Sequence, residues 1–302
     1  MVGVWLMYIL IGILIGFLLG ILFLKLYSFL RMRRNEKRGA HLIKCDELIR
    51  EPVQIPIKEE NSEILLAGEI YKATYTPSKA PYIIVLHGIG GYHSDPNIDP
   101  AAVALALSGY NVLGYDFRGY GQSPGKVRKG GLQNFLKIWS DLMQVITFVQ
   151  QRKDLDGERI GLIGFSLGGT IALSTGYRDP RLKVIIGVCT AFDIKKTLNS
   201  WSWMLKLLVR LFIGINFTIP EEFESQISPK FSLKTTPENR ARVFLAHCRD
   251  DTIVPFFNFE DNVRLLGLPK DNTIVFDSGG HYFLGKEKAL VARLIYWFNH
   301  FL

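Results

Sequence analysis

The stretch that decides the fold is Gly164-Phe165-Ser166-Leu167-Gly168, a Gly-x-Ser-x-Gly motif where a strand should pass into a helix. Residues 159–163 before it are apolar after the charged Arg159, as in a buried parallel strand. Residues 169–173 after it are small and apolar, as in a helix packed on that strand. A serine on so tight a turn has a strained backbone, and flanking glycines remove side chains that would clash there. The motif predicts an exposed serine hydroxyl at the carboxyl edge of a sheet, with the Leu167 N–H close to it.

A serine hydroxyl is a weak nucleophile at neutral pH, so it needs a base and a carboxylate that orients the base. Both residue types occur downstream, each just past a predicted strand. Asp250 and Asp251 follow the apolar segment 242–247, and His281 follows the segment 273–276. Upstream, the apolar segment 82–86 runs into a glycine-rich turn in which the Ile89 N–H could donate to a developing oxyanion.

Five motifs in this order give the chain a family resemblance. Residues 63–302 resemble the α/β-hydrolase superfamily, most closely its branch of serine aminopeptidases and monoglyceride lipases. The matching segments are His87-Gly88-Ile89-Gly90, the segment 116–123 (DFRGYGQS), the serine motif, the segment 251–255 (DTIVP) and Gly280-His281.

The resemblance implies a role for each site residue. Ser166 would be the nucleophile, His281 the general base, and Asp251 the carboxylate that orients the base. Asp251 is preferred to Asp250 because the family pattern places the acid three residues before a Val-Pro pair, here residues 254–255. The N–H groups of Ile89 and Leu167 would form the oxyanion hole, and the chemistry needs no cofactor and no metal.

Strand and helix patterns alternate through most of the chain after an edge strand predicted within residues 65–75. Such alternation predicts a mostly parallel sheet with helices on both faces, here an α/β-hydrolase domain over residues 62–302. Two smaller expectations concern single side chains. His87 is interpreted as a structural brace for the oxyanion loop, and Asp116 and Arg118 are expected to pair with each other.

The alternation breaks over residues 192–236, where the resembled family inserts a helical cap. This segment is strongly apolar, and Trp201, Trp203 and Met204 are predicted to line an apolar pocket over Ser166. Two alternatives stay open: these side chains only pack the cap onto the core, or the cap helix dips into a membrane.

The N-terminal residues 1–24 contain no charged side chain, and as a helix they would extend about 36 Å, enough to cross a bilayer. A cleaved secretory signal would instead need a basic start, a shorter apolar core and a small-residue cleavage site. We therefore expect residues 1–30 to be an uncleaved signal-anchor, a single transmembrane helix. Five basic residues within 31–38 follow it, which predicts a cytoplasmic catalytic domain. A charged segment with two prolines, residues 31–61, is interpreted as the juxtamembrane linker.

Charge and cysteine content exclude other classes of protein. The net charge is +8, but residues 1–44 contribute +6 of it, so the remaining chain lacks the basic stripe of a nucleic-acid-binding domain. The three cysteines show no metal-binding spacing and are odd in number, which argues against a zinc site and a disulfide framework.

These observations predict a membrane-anchored serine hydrolase of the esterase or lipase type. It would cleave an ester, thioester or amide of an apolar, acyl-type or lipid-like small molecule. Two alternatives stay open: a serine aminopeptidase, and a non-catalytic binding or scaffold protein, because a fold by itself does not establish a function.

Overall fold

The computed structural model describes residues 48–74, 78–125, 127–203, 206–207 and 219–302. The predicted transmembrane helix, most of the predicted linker and Met204 lie outside these residues. Within them, no helix combines the length and the apolar character needed to cross a membrane.

Eight strands form one sheet in the described part of the chain, in the order β1-β2-β4-β3-β5-β6-β7-β8. β1 and β2 are antiparallel to their neighbours, and the other pairs are parallel. The predicted mostly parallel sheet is therefore confirmed. The strands are β1 Arg50–Lys58, β2 Glu63–Tyr71, β3 Ala80–Leu86, β4 Asn111–Tyr115, β5 Leu155–Phe165, β6 Leu182–Val188, β7 Val243–Cys248 and β8 Thr273–Phe276.

Helices cover both faces of this sheet, as two consecutive residues of β5 demonstrate. A Cβ on Gly161 would contact Phe298, which lies in the last helix. The side chain of the next residue, Leu162, instead lies beside Gly176, which also borders Leu142 in the long helix 127–150. Successive residues of a strand face opposite sides, so these helices lie on opposite faces. Within the described ranges, the α-helices with defined bounds are α1 Asp99–Leu107, α2 Val127–Gln150, α3 Leu167–Ile171, α4 Ile194–Ser200, α5 Glu221–Ile227, α6 Pro237–Arg242, α7 Phe257–Leu266 and α8 Glu287–Phe301.

The core lies between the sheet and these helices, and β3 shows how completely the centre of the sheet is covered. Every residue of β3 is buried. Because a strand with helices over both faces has no solvent side, such strands are apolar throughout rather than alternating. This burial fixes the position of the loop that follows β3 and carries Ile89.

The first strand corrects the predicted linker, since Arg50–Lys58 lies within residues 31–61 and pairs with β2. Ile55 and Ile57 are buried, while the alternate residues, among them Pro52 and Pro56, face solvent. The Lys58 N–H, two residues beyond Pro56, donates to the Gln144 side chain rather than to β2. Pro52 and Pro56 alternate along β1 in step with Lys58, so their backbone nitrogens also face away from β2. Proline lacks an N–H, and at these edge positions no N–H is needed for pairing with β2.

Asp116 and Arg118, expected to pair with each other, bind different partners. The Asp116 carboxylate accepts hydrogen bonds from Nδ1 of His93 at 2.9 Å and from the His93 backbone N–H at 2.6 Å. The Arg118 guanidinium bridges Asp141 at 2.6 Å and Glu59 at 2.7 Å. The expectation was wrong because these partners come from other elements, and only the tertiary fold brings them near.

The described part of the cap includes α4, α5 and the 3-10 turn Pro229–Phe231. Asp193 caps α4, because its carboxylate accepts the Lys196 N–H at 2.8 Å. The Lys230 ammonium group pairs with Asp193 at 2.7 Å and also with Glu224 on α5. These ion pairs join the beginning of the cap to its end.

Candidate active site

Ser166 lies between β5 and α3 in a backbone conformation that few residues other than glycine adopt. Its φ is +56° and its ψ is −113°. Its N–H donates to the carbonyl oxygen of Val188 on the neighbouring β6 at 2.8 Å. Such strain persists only where the surrounding structure enforces it, and it is common at functional sites.

The glycines on either side of Ser166 are required by close backbone approaches. A Cβ on Gly164 would lie 2.1 Å from the carbonyl oxygen of Gly168. A Cβ on Gly168 would lie 2.4 Å from the carbonyl oxygen of Leu86 on β3. Since the clashing atoms belong to the backbone, any side chain at either position would force the turn open and displace the serine.

His281 approaches Ser166 from the loop after β8, within the 3-10 turn Gly280–Tyr282. Its Nε2 is 2.9 Å from Oγ of Ser166, and its Nδ1 is 2.8 Å from Oδ2 of Asp251. An ionised carboxylate can only accept, so Nδ1 carries the proton and Nε2 is free to accept the serine hydroxyl. The ring therefore bridges the hydroxyl and the carboxylate.

The Asp251 carboxylate is almost fully buried, with 4% of the residue exposed, and both of its oxygens are engaged. Oδ1 accepts the backbone N–H groups of Ile253 at 2.8 Å and Val254 at 2.9 Å. Oδ2 faces His281 and, at 3.4 Å, Nε2 of His247. Burial opposes ionisation, but hydrogen bonds from the two histidines outweigh it and hold the pKa of Asp251 well below its usual range. The carboxylate is therefore charged and can stabilise an imidazolium ion.

The two predicted oxyanion donors border the serine. Leu167 is the first residue of α3, so its N–H lies at the helix N-terminus, where intrahelical acceptors are lacking. Ile89 follows Gly88, whose Cβ position would be 3.4 Å from Cβ of Ser166. Neither N–H has a hydrogen-bond acceptor assigned within the described residues. A backbone N–H without a protein acceptor can donate to a negatively charged oxygen of a substrate.

His87 braces the loop that carries Ile89. Its Nε2 accepts the Phe117 N–H at 3.0 Å, and its Nδ1 lies 2.7 Å from the carbonyl oxygen of Gly88. The neutral ring with its proton on Nδ1 satisfies both contacts. Burial lowers the pKa of His87 to about 4, although the hydrogen bond to Gly88 opposes the shift. A ring that stays neutral and tethered on both sides fits the structural role expected from the sequence.

The three residues predicted to line a pocket are placed differently from one another. Trp201 packs on the acid loop, because its Nε1–H donates to the carbonyl oxygen of Ile253 at 2.7 Å. Trp203 departs from the expectation, since 76% of it is exposed and it forms no wall of a closed pocket within the described residues. Met204 lies outside those residues.

Cys189 is a neighbour of the triad that the sequence did not reveal. It is buried with a φ of +51°, and its thiol contacts the His281 carbonyl oxygen at 3.5 Å. Its sulfur and the polar atoms of Asp251 and His281 lie within 4.8 Å of one another. Burial raises the pKa of the thiol, which favours the protonated form over a metal-binding thiolate. Because Asp251 and His281 already bond to each other, the group fits a hydrogen-bonded triad better than a metal centre.

Two further residues at the site make contacts that the sequence did not predict. His247 is the second imidazole on Asp251, and its Nε2 also contacts the Val254 carbonyl oxygen at 2.8 Å. Asp250 accepts two backbone N–H groups from the loop that carries His281. A histidine four residues before the acid could have suggested the first contact, whereas the contact of Asp250 depends on the tertiary fold.

Comparison with protein families gives one match over this region. Residues 77–242 match the family described as serine aminopeptidase, S33. The match begins before β3 and ends before β7. It therefore includes the oxyanion loop and the serine motif.

Among curated proteins, the thiohydrolase apmlB of Arthrinium phaeospermum is 32% identical over 42% of this chain and 40% of its own length. Among solved structures, the acylaminoacyl peptidase of Pyrococcus horikoshii aligns with a TM-score of 0.62 and 20% identity, over 84% of this chain and 42% of that one. The Pyrococcus furiosus esterase Pf2001 aligns with a TM-score of 0.58 and 22% identity, over 83% and 93%. Because both solved structures are less than 25% identical to this chain, these two alignments show a shared fold alone. The first curated relatives are matched over only 36% to 47% of their length.

Proposed function

The chain belongs to the serine aminopeptidase, S33 family, and from this premise we propose that it is a serine hydrolase acting through Ser166, His281 and Asp251. The observation that carries the proposal is the continuous hydrogen-bond path from Oγ through the imidazole to the buried carboxylate, with steps of 2.9 Å and 2.8 Å. An arrangement of nucleophile, base and orienting acid at these distances is what acyl transfer requires.

In the first half of the reaction, Oγ of Ser166 attacks the substrate carbonyl while Nε2 of His281 takes the hydroxyl proton. Asp251 stabilises the imidazolium ion formed, because its charge accepts the Nδ1 proton without removing it. The carbonyl oxygen becomes negative at this stage, and the N–H groups of Ile89 and Leu167 stabilise it.

The tetrahedral intermediate collapses when His281 returns its proton to the leaving group, which departs as an alcohol, thiol or amine. The acyl group remains bonded to Ser166. A water molecule then attacks this acyl-enzyme with His281 again as base, which releases the acid and restores the serine hydroxyl.

We propose esters, thioesters or amides of an apolar acyl group as substrates. A thiohydrolase, an esterase and an acylaminoacyl peptidase among the similar proteins support this range of leaving groups. The apolar sequence of the cap segment, residues 192–236, supports an apolar acyl group.

A serine aminopeptidase is the second candidate, favoured by the family match, and a substrate panel separates the two. We expect kcat/KM on a p-nitrophenyl ester of a medium-chain acid to exceed that on an aminoacyl p-nitroanilide by about 100-fold or more. An ester needs less help from the enzyme in expelling its leaving group. A preference for the anilide would replace the esterase proposal, and the absence of activity on both would favour the scaffold alternative.

The sequence supports a membrane-anchored form of this hydrolase. Residues 1–30 would act as an uncleaved transmembrane anchor, and the basic residues within 31–38 would hold the catalytic domain in the cytoplasm. Anionic lipid could bind the same basic residues.

The anchor is tested by fractionation of cells that express the full chain. We expect the protein to stay in the membrane pellet after alkaline carbonate extraction and to become soluble when residues 1–30 are deleted. Protease added outside intact cells should spare the catalytic domain. Neutral replacements of the five basic residues within 31–38 serve as the control, since they should weaken orientation without preventing insertion. Recovery of a shortened, secreted protein would contradict the anchor.

A further inference from the structure

Two adjacent carboxylates on the loop after β7 contact different parts of the site. Asp251 is buried and bonds to the His281 ring, whereas Asp250 is exposed and reaches the backbone of the loop that carries His281. The Asp250 carboxylate accepts the Gly279 N–H at 3.1 Å and the Gly280 N–H at 2.8 Å, with one oxygen for each donor.

The loop conformation explains why this contact matters for the imidazole. Gly279 has a φ of +137° and Gly280 a φ of +59°, so their successive N–H groups can converge on one anion. Two consecutive glycines in such conformations have many alternatives when nothing restrains them. The 3-10 turn that carries His281 begins at Gly280, directly after the restrained N–H groups.

Further contacts restrain the same loop. The Leu284 N–H donates to the Gly279 carbonyl oxygen at 2.8 Å, and the Cys189 thiol contacts the His281 carbonyl oxygen at 3.5 Å. Among these contacts, Asp250 alone supplies a charged acceptor, and charge-assisted hydrogen bonds are the stronger kind.

We infer that Asp250 is a positioning residue, whose carboxylate holds residues 279–280 so that the His281 imidazole stays aligned between Ser166 and Asp251. This inference rests on the proposed function. Because a misplacement of about 1 Å can cost about 100-fold in rate, we expect Asp250→Ala to lower kcat by about 10- to 100-fold with KM unchanged. Asp250→Asn keeps one acceptor oxygen and should give an intermediate loss.

Asp277 offers a matched control on the same loop. Its side chain is 95% exposed and faces Arg249 at 3.3 Å, away from the loop amides held by Asp250. Asp277→Ala removes the same charge, and we expect it to leave kcat within about twofold of wild type. An exposed ion pair adds little to stability, so Asp277→Ala should melt close to wild type. Asp250→Ala removes two hydrogen bonds from a surface loop and should also melt within a few degrees of wild type.

The test measures kcat, KM, melting temperature and the rate of fluorophosphonate labelling for the full chain and these variants. The inference predicts that kcat and labelling rate fall together in Asp250→Ala, while KM and melting temperature stay constant. It is overturned if Asp250→Ala matches Asp277→Ala, or if its loss of activity is accompanied by an equal loss of folded protein. Ser166→Ala is measured in the same assay, because activity that survives in that variant would overturn the proposed function itself.

Discussion

Ser166→Ala should abolish measurable hydrolysis, with a loss of about six decades in kcat, the scale seen when a triad nucleophile is removed. The reason is chemical: the alanine methyl group cannot form the acyl-enzyme, and only binding and the oxyanion donors remain. The strained φ of +56° at this position does not suit alanine either, so circular dichroism should accompany the kinetics.

His281→Ala should lower kcat by at least about three decades, because His281 is the base that contacts Oγ of Ser166 and no other basic group does so among the residues that the structure describes. Residues of a triad act as a unit, so the double variant that also carries Ser166→Ala should be no less active than Ser166→Ala alone. Additive losses would mean that the serine and the histidine act in separate steps, which would contradict the proposed mechanism.

Asp251→Asn should lower kcat by about four decades, because an amide cannot hold the required imidazole tautomer or stabilise its positive charge. The buried carboxylate accepts two backbone N–H groups and faces two histidines. An asparagine side chain would present its NH2 group to some of these donors. The kinetics should be measured at several pH values, since the variant also changes the environment of His281.

Asp250→Asn is the matched comparison for Asp251→Asn, since it makes the same chemical change one residue away. Its expected loss is about tenfold or less, because Asp250 contacts backbone N–H groups and not the imidazole. Equal losses in the two variants, or a larger loss at Asp250, would contradict the assignment of Asp251 as the orienting acid.

The sequence predicted the centre of the fold because its constraints are local. The serine turn needs glycines at positions 164 and 168, and the close approaches there show why no other residue fits. The strands β3 and β6 were equally clear, since strands covered on both faces are almost entirely apolar, and Lys183 near the start of β6 is the one charged residue in the two. The Val254-Pro255 pair favoured Asp251, and in the structure Asp251 contacts the His281 imidazole and accepts the Val254 N–H.

The edge of the sheet was harder to predict, because prolines and charges at an edge strand look like a linker. β1 has alternating burial, but Pro52 and Pro56 conceal that pattern in the sequence. What identifies β1 as a strand is its pairing with β2, a contact between separate segments. The same limit explains why Arg118 was assigned the wrong partner, since Asp141 comes from α2 and Glu59 from the β1–β2 connection.

The environment of the triad carboxylate was also beyond the sequence. Cys189 follows β6, His247 lies in β7 and Asp250 follows β7. Only the tertiary fold brings them to Asp251 or to the loop that carries His281. Their side-chain types are compatible with many roles. Their geometry alone distinguishes a thiol beside the acid, a second imidazole on the acid and a carboxylate that holds the histidine loop.

The central claim is that Ser166 is an activated nucleophile, and covalent labelling tests it most directly. The purified protein is treated with a fluorophosphonate probe, and the modified peptide is identified by mass spectrometry. We expect one adduct per chain, located on Ser166, absent from Ser166→Ala and formed far more slowly in His281→Ala. An adduct on another residue, or equal labelling of wild type and Ser166→Ala, would contradict the account.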